Sequence, residues 1–261
     1  MNKLQTLLVA VSCAAFLLFI SIPVAAVFLY VTPGELAATV TSDAVLTPLK
    51  LSLLTATISA TVVLVFATPL SYILARKKFS GRWFLDTLVD VPIVLPPAVA
   101  GLALLLAFAP KGLVGQYLLS RGIVLPGSLV AVVMAEIFVA SPFYFRSSKT
   151  AFEAVNQRII DSGRILTKSD SRVFLRVTLP LAGRGILAGF IMCWARSLGE
   201  FGATLLFAGN LPGVTQTMPL AIYIAMESNL VEADVLSAIL ILFSFAVLVA
   251  FKLLGGWNRS D

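Results

Sequence analysis

Six long apolar runs, at approximately 7–30, 46–75, 84–108, 125–145, 181–207 and 235–254, leave this chain one environment in which to fold. Each is long enough to cross the roughly 30 Å of bilayer hydrocarbon as a helix. A backbone in hydrocarbon must satisfy its own N–H and C=O groups, which a helix does within one segment. With 59% hydrophobic and 12% charged residues, the chain lacks the polar surface that a water-soluble body of this size needs. The sequence therefore reads as an all-α integral membrane protein with six transmembrane helices. The first run follows Lys3 as a signal peptide would, but it is too long and no small-residue cleavage site follows, so it is expected to be a retained span.

Basic residues near span ends set the orientation. With the N-terminus in the cytoplasm, fifteen of the nineteen Lys and Arg fall on the cytoplasmic side, among them Arg76, Lys77, Lys78 and Arg82 after the second run, and Lys252 and Arg259 after the sixth. Lys50, Lys111 and Arg121 fall outside, and Arg196 lies within the fifth run. The net charge of +6 is then topogenic and lipid-facing and calls for no nucleic acid.

The chain contains no histidine, and Cys13 and Cys193 both lie in apolar runs. Disulfides, metal or haem sites and Ser/His or Cys/His catalysis are not expected, and no enzymatic activity is assigned. Neither a phosphate loop nor a dinucleotide fingerprint is present, so any nucleotide that drives this protein is bound by another chain.

Segment 161–180 differs from its surroundings. It mixes Ile165, Leu166, Val173 and Phe174 with Arg164, Lys168, Arg172 and Arg176, and stops at Leu179-Pro180 just before the next apolar run. That order predicts a short amphipathic helix, a turn and a membrane re-entry. A docking surface for another protein and a lipid-facing amphipathic loop both fit the pattern.

Aligned on Pro180, this segment resembles the loop of membrane subunits of prokaryotic ABC importers, which reads Glu-Ala-Ala, three residues, Gly, and a Leu-Pro at fixed distance. Asp161, Ser162 and Gly163 take the Glu-Ala-Ala positions and Thr167 the Gly position, while Phe174, Val177, Leu179 and Pro180 fit directly. Two further patches look like molybdate permeases, and sulfate permeases less closely. They are Pro69-Leu-Ser-Tyr-Ile-Leu-Ala-Arg-Lys-Lys-Phe-Ser-Gly81, continuing through Asp90-Val-Pro-Ile-Val-Leu-Pro-Pro97 to Gly101, and Ala195-Arg-Ser-Leu-Gly-Glu-Phe-Gly-Ala-Thr204 with the stretch onward to Pro219. Together they cover most of the chain from Pro69 to Pro219.

The resemblance implies the transmembrane domain of a type I ABC importer: a first helix and outer loop at 1–45, a core at 46–254 with a cytoplasmic coupling loop at about 147–180, and a cytoplasmic tail at 255–261. It implies a homodimer in the prokaryotic cell (inner) membrane, two ATPase subunits below that bind ATP and Mg, and a solute-binding protein above. This chain itself would bind no cofactor, and any regulatory domain would sit on the ATPase. In the coupling loop, Asp161, Ser162, Gly163, Arg164, Leu166, Thr167, Phe174, Leu179 and Pro180 are the expected contact positions, with Ile165, Leu166, Val173 and Phe174 filling a cleft of the ATPase and Arg164, Lys168 and Arg172 setting register. The cargo implied is molybdate or tungstate; a sulfate/thiosulfate permease is the alternative, and a secondary transporter using intramembrane carboxylates is a further one.

Asp86, Asp90, Glu136, Arg196 and Glu200 fall within or at the edge of spans, where ionisable groups are costly and tend to face a cavity or a partner. Arg196 and Glu200 share a helix face, and Glu136 is another possible partner. A structural pair that fixes helix packing is preferred here over a substrate site. An oxyanion would rather meet hydroxyls, backbone N–H groups and broken helix ends. Pro92, Pro96, Pro97 and Gly101 interrupt the third run, and Gly199, Gly202 and Thr204 lie in the outer half of the fifth. Tight helix packing and a gate are both compatible with these residues; Arg196, Glu200, Gly202, Thr204, Pro96, Pro97 and Glu136 are the pathway candidates. The segment between the fifth and sixth runs carries Glu227, Glu232 and Asp234 with no Lys or Arg, and 219–226 is expected to form a short helix, either as a rim for a substrate-delivery protein or as a cap over the pore mouth.

Overall fold

The computed structural model describes residues 2–167 and 169–254. Lys168, the 255–261 tail with Arg259, and the side chain of Lys252 lie outside that description. The described residues are helical throughout their regular structure. Among the described residues five helices are long and apolar enough to cross a membrane, at Lys3–Leu29, Asp43–Arg76, Leu129–Ala154, Asp170–Leu198 and Leu230–Phe251, and a bent pair, counted as one span, makes six.

That bent pair divides the third run at two of the prolines that interrupt its sequence. The third run is two helices, α4 (Arg82–Val94) and α5 (Pro97–Phe108), meeting at 115°. Pro92 is accommodated within α4. The break falls at Leu95-Pro96-Pro97, where two successive prolines donate no backbone hydrogen bond and push the preceding residues into extended geometry. The departure from the sequence reading is the fifth run, expected to continue to 207. It ends at Leu198, with Gly199 as C-cap, and a separate short helix follows.

Around these breaks the order is α1 (Lys3–Leu29), α2 (Pro33–Thr39), α3 (Asp43–Arg76), α4, α5, α6 (Gly115–Leu119), α7 (Leu129–Ala154), α8 (Gln157–Thr167), α9 (Asp170–Val173), a π-helical turn (Phe174–Thr178), α10 (Leu179–Leu198), α11 (Gly202–Ala208), α12 (Met218–Ser228) and α13 (Leu230–Leu254). α3 is about 50 Å long at 1.5 Å per residue, more than a bilayer core requires, so it reaches beyond the hydrocarbon.

α3, α7 and α10 form the centre of the bundle. Their contact is made by small residues, including Ala56, Ala60, Ala140 and Ala182, and a Cβ on Gly189 would stand 3.0 Å from that of Ser147. Close backbone approach of this kind replaces the hydrophobic effect as the source of helix association in lipid. Ser147 adds a hydrogen bond across the seam, from its hydroxyl to the Gly185 carbonyl at 2.8 Å. Two smaller cores flank this centre. α5 and α11 pack on the first turns of α7 through Ala100, Leu104, Ala131, Ala203 and Phe207, and α12 packs on α13 and the start of α3 through Val45, Met218, Val235 and Leu236. α12 is the short helix expected near 219–226. By contrast, no residue of α1 is buried.

Candidate functional site

Two places carry the residues singled out from the sequence, one at each end of the bundle. At the first end, α7 hands over to α8 at Val155, and the chain returns through α9 and the π turn into α10 with no non-helical residue between Asp170 and Leu198. The π turn has a local cause. Pro180 has no N–H to give to the carbonyl four residues back, and the Leu179 N–H reaches past its normal acceptor to Phe174 O. The re-entry through Leu179-Pro180 is therefore a continuous, locally widened helix.

The faces of this segment separate cleanly. Ile160, Gly163 and Val173 point into the bundle, and a Cβ on Gly163 would lie 3.4–3.6 Å from the side chains of Val173 and Val177. α8 therefore packs at ordinary contact distance on the returning helix of the hairpin, with room for a small side chain at 163. Ile165 and Leu166 point away, 78% and 84% exposed. Val173 and Phe174, read from the sequence as cleft-filling residues, instead belong to the core: Val173 is 1% exposed, and Phe174 stacks with Tyr72 and Phe152 at ring distances of 4.7 and 6.1 Å. The reason is a change of helical phase between α8 and α9, which turns the second apolar pair to the opposite side. Arg164, expected to meet a partner, is occupied within the chain by Asp161 at 3.2 Å and Asp170 at 2.9 Å. The hydrogen bond to Asp170 raises its pKa above the ordinary guanidinium value. Ser162 and Thr167 turn their hydroxyls onto the carbonyls of Arg158 and Gly163, closing the exposed helix surface.

In the sequence Arg76 stands out only as a topogenic charge. It fastens the hairpin to the bundle. Its guanidinium donates to Phe152 O, to Val155 O at 2.5 Å and to Gln157 Oε1 at 3.2 Å, capping the last turn of α7 and holding the start of α8.

At the other end, α5 and α11 cross in near backbone contact. A Cβ on Gly202 would lie 2.8 Å from the Pro97 Cβ, and one on Gly101 would lie 2.8 Å from Ala203 O and 2.9 Å from the Leu206 Cβ. Each helix uses a glycine to admit the other. Gly202 opens α11, and Glu200 caps it by accepting the Ala203 N–H at 2.9 Å, placing a carboxylate at the positive end of that short helix. The other Glu200 oxygen lies 2.6 Å from Arg196 Nη1, so the pair expected from the four-residue spacing forms across the break after Leu198. Glu136 takes no part in it. Its two oxygens accept from Thr55 and Ser59 of α3, each at 2.7 Å, and the side chain is buried between α3 and α7. Thr204 is fully buried, and its hydroxyl has no partner among the described residues. Pro96, Pro97, Glu200, Gly202 and Thr204 are thus brought to one crossing, while Glu136 belongs to the packing of the helix centre.

Asp86 and Asp90 find their partners on α7. Lys149 Nζ lies 2.6 Å from Asp86, and Arg146 Nε donates to Asp90 at 2.7 Å. These partners were missed because the fourth run was expected to end at 145; α7 continues to Ala154 and carries both cations.

Comparison with known proteins gives this arrangement a context. Residues 67–258 match the family model described as binding-protein-dependent transport system inner membrane component. A probable molybdenum ABC transporter permease of Haloferax volcanii is 40% identical over 228 residues, covering 87% of this chain and 81% of the relative. The molybdenum transport system permease protein ModB of Escherichia coli K12 is 35% identical over 216 residues, covering 82% and 92%. Among solved structures, a bacterial ABC transporter involved in import of the acidic polysaccharide alginate superposes with a TM-score of 0.81 at 13% identity, covering 100% of this chain and 97% of that one. The alginate transporter in complex with its pentasaccharide-bound periplasmic protein gives 0.76 at 15% identity, covering 99% and 94%. These two likenesses speak to the fold.

Proposed function

This chain belongs to the family of binding-protein-dependent transport system inner membrane components, and from that premise we propose that it forms the membrane pathway through which an ATP-driven importer carries molybdate, or its close analogue tungstate, into the cell. The family is one of ABC transporter membrane subunits, which do no bond chemistry themselves. The molybdate reading rests on relatives named as molybdenum permeases that align over most of both chains. The single structural observation that carries the mechanism is the α8–α9 hairpin, which presents Ile165 and Leu166 to the outside while running directly into α10.

Two copies around a two-fold axis would enclose the route between them, since one chain leaves no closed central pathway. Two ATPase subunits holding ATP and Mg would sit on the cytoplasmic α8–α9 end, and the distribution of basic residues supports an N-terminus on that side. Ile165 and Leu166 would enter a cleft of the ATPase, and closure of the ATPase pair would draw the two hairpins together. Because α10 is continuous with the hairpin, its far end at Arg196–Leu198 moves with it, and Glu200 passes that movement to α11 and its crossing with α5. A solute-binding protein would deliver the oxyanion at that outer end, where Glu227, Glu232 and Asp234 would serve as an acidic rim.

Uptake of radiolabelled molybdate into proteoliposomes holding this chain, its ATPase and its binding protein tests the reading. Uptake is expected to require ATP and all three proteins, to be competed by unlabelled tungstate and to resist sulfate. Uptake by this chain alone would overturn it.

A further inference from the structure

Three ion pairs join α4 to α7, and nothing described above accounts for them. Arg82 meets Glu153 at 3.5 Å, Asp86 meets Lys149 at 2.6 Å, and Asp90 receives both Nε and Nη2 of Arg146. The α4 members stand at i, i+4 and i+8; their partners run the opposite way along α7. The charges sum to zero, and a slip of one rung either way would set like charges together, Arg82 against Lys149 or Asp86 against Glu153, so the reversed polarity of the first rung fixes the register of the other two.

The rest of α4 explains why the pairs matter. A helix packed on a bundle normally turns an apolar stripe inward. The half-buried residues of α4 are Arg82, Leu85, Asp86, Val89, Asp90 and Pro92, of which three are charged, and no α4 residue is fully buried. The large apolar residues Trp83, Phe84 and Val94 point away, 77%, 59% and 82% exposed. Within the bundle α4 is thus held chiefly by charge. An open, mostly apolar cavity of about 520 Å³ lies beside the last rung, lined by Ile93, Phe143, Arg146, Thr150 and Met192 among others. Both ends of α4 are joints. Gly81 precedes it in the left-handed conformation at φ 89°, and the Leu95-Pro96-Pro97 break follows it.

We propose that this three-rung rail makes α4 and α7 one mechanical unit, with Asp86, Asp90, Arg146 and Lys149 as positioning residues that carry movement of the hairpin end through α4 to α5 and its crossing with α11. α7 leads directly to the hairpin, and α5 is the direct continuation of α4. The rail therefore gives the crossing a second line of drive, from the α5 side, beside the one through α10. Charge suits this task because an ion pair holds register along a helix face, where a smooth apolar contact in lipid would slide. The inference rests on the transport reading, and its test separates the two.

The test compares Asp86→Lys, Lys149→Asp and the combined swap in the full reconstituted transporter, reading ATP-driven molybdate uptake together with amide exchange of α4 in the same purified complex. Each single variant is expected to lose uptake by at least about tenfold and to speed α4 exchange by a similar factor, because it places like charges face to face; the swap is expected to return both to within about threefold of the wild type. Should the swap not assemble, Asp86→Asn with Lys149→Met is the substitute pair, and the double variant is expected to retain more uptake than Asp86→Asn alone. Wild-type behaviour of the single variants, or exchange restored without uptake, would overturn the rail. Absence of ATP-driven uptake in the wild type would instead overturn the transport reading, and unchanged α4 exchange in the single variants would then overturn the rail by itself.

Discussion

Gly202 stands against Pro97 so closely that a Cβ on the glycine would lie 2.8 Å from the proline Cβ, with Gly101 making the reciprocal approach toward Ala203. The crossing of α5 and α11 thus depends on two missing side chains, and it joins the two helices that follow the two main breaks in the bundle.

Replacing Gly202 by Leu forces that crossing apart. Overpacking of this kind costs about 1–3 kcal/mol, enough to shift the contact without unfolding a bundle centred on α3, α7 and α10. Molybdate uptake is expected to fall at least about tenfold, or to become an ATP-independent leak, while the variant still copurifies with its ATPase. Unchanged, ATP-dependent uptake would remove the crossing from the mechanism.

Ile165 and Leu166 are apolar, exposed and uninvolved in the core. Ile165→Asp with Leu166→Asp is therefore expected to leave the thermal stability of the isolated chain within about 0.5 kcal/mol of wild type, as for other surface changes. Binding of the ATPase subunit should weaken by at least about tenfold, since buried apolar anchors dominate such interfaces. Copurification and a melting curve check both halves of the expectation.

Arg76 separates geometry from charge. Arg76→Lys keeps the charge but cannot reach Phe152 O, Val155 O and Gln157 together, whereas the fork of the guanidinium does. Removing these bonds leaves the Phe152 carbonyl with only the Val155 N–H and takes the guanidinium from the Val155 carbonyl, at about 1–3 kcal/mol. Both Arg76→Lys and Arg76→Gln are expected to lower the melting temperature and to raise ATP hydrolysed per molybdate carried, because the hairpin would move without taking α3 with it. A wild-type coupling ratio in Arg76→Lys would show that charge alone suffices.

The α2 cap should respond to acid. Thr32 donates to Glu35 from both its hydroxyl and its backbone N–H, and these bonds hold the Glu35 carboxyl below its ordinary value of 4.5. A depressed folded-state pKa means that the cap contributes above the unfolded value and is lost as pH falls through the folded one. Protection of the α2 amides, corrected for intrinsic exchange, is expected to drop in that acid window, and in Glu35→Gln to be low already at neutral pH.

Hydropathy made the crossing helices legible, but it could not see where two of them stop. Gly199, Glu200 and Phe201 sit between apolar residues, and Gly202 to Ala208 continue the apolar composition, so the fifth run reads as unbroken. The break arises because Gly199 ends one helix and the Glu200 carboxylate starts another. The prolines at 96 and 97 did announce their break, although their sequence gives no angle. At the hairpin, the contrast between Ile165 and Val173 depends on a change of helical phase that no single periodicity spans. The α4 rail did leave a signal: charges at 82, 86 and 90 on one face, answered by opposite charges at 146, 149 and 153. Hydropathy hides it, because an apolar run that ends near 145 leaves the cations in a loop, whereas they lie on the last turns of α7.

α1 buries none of its residues and packs chiefly along α13. Its sequence is therefore free to drift among apolar residues so long as it still spans the bilayer, and the helices from Asp43 onward should assemble without waiting for it. A gene split in the short connection before α3 ought to yield two fragments that find each other in the membrane.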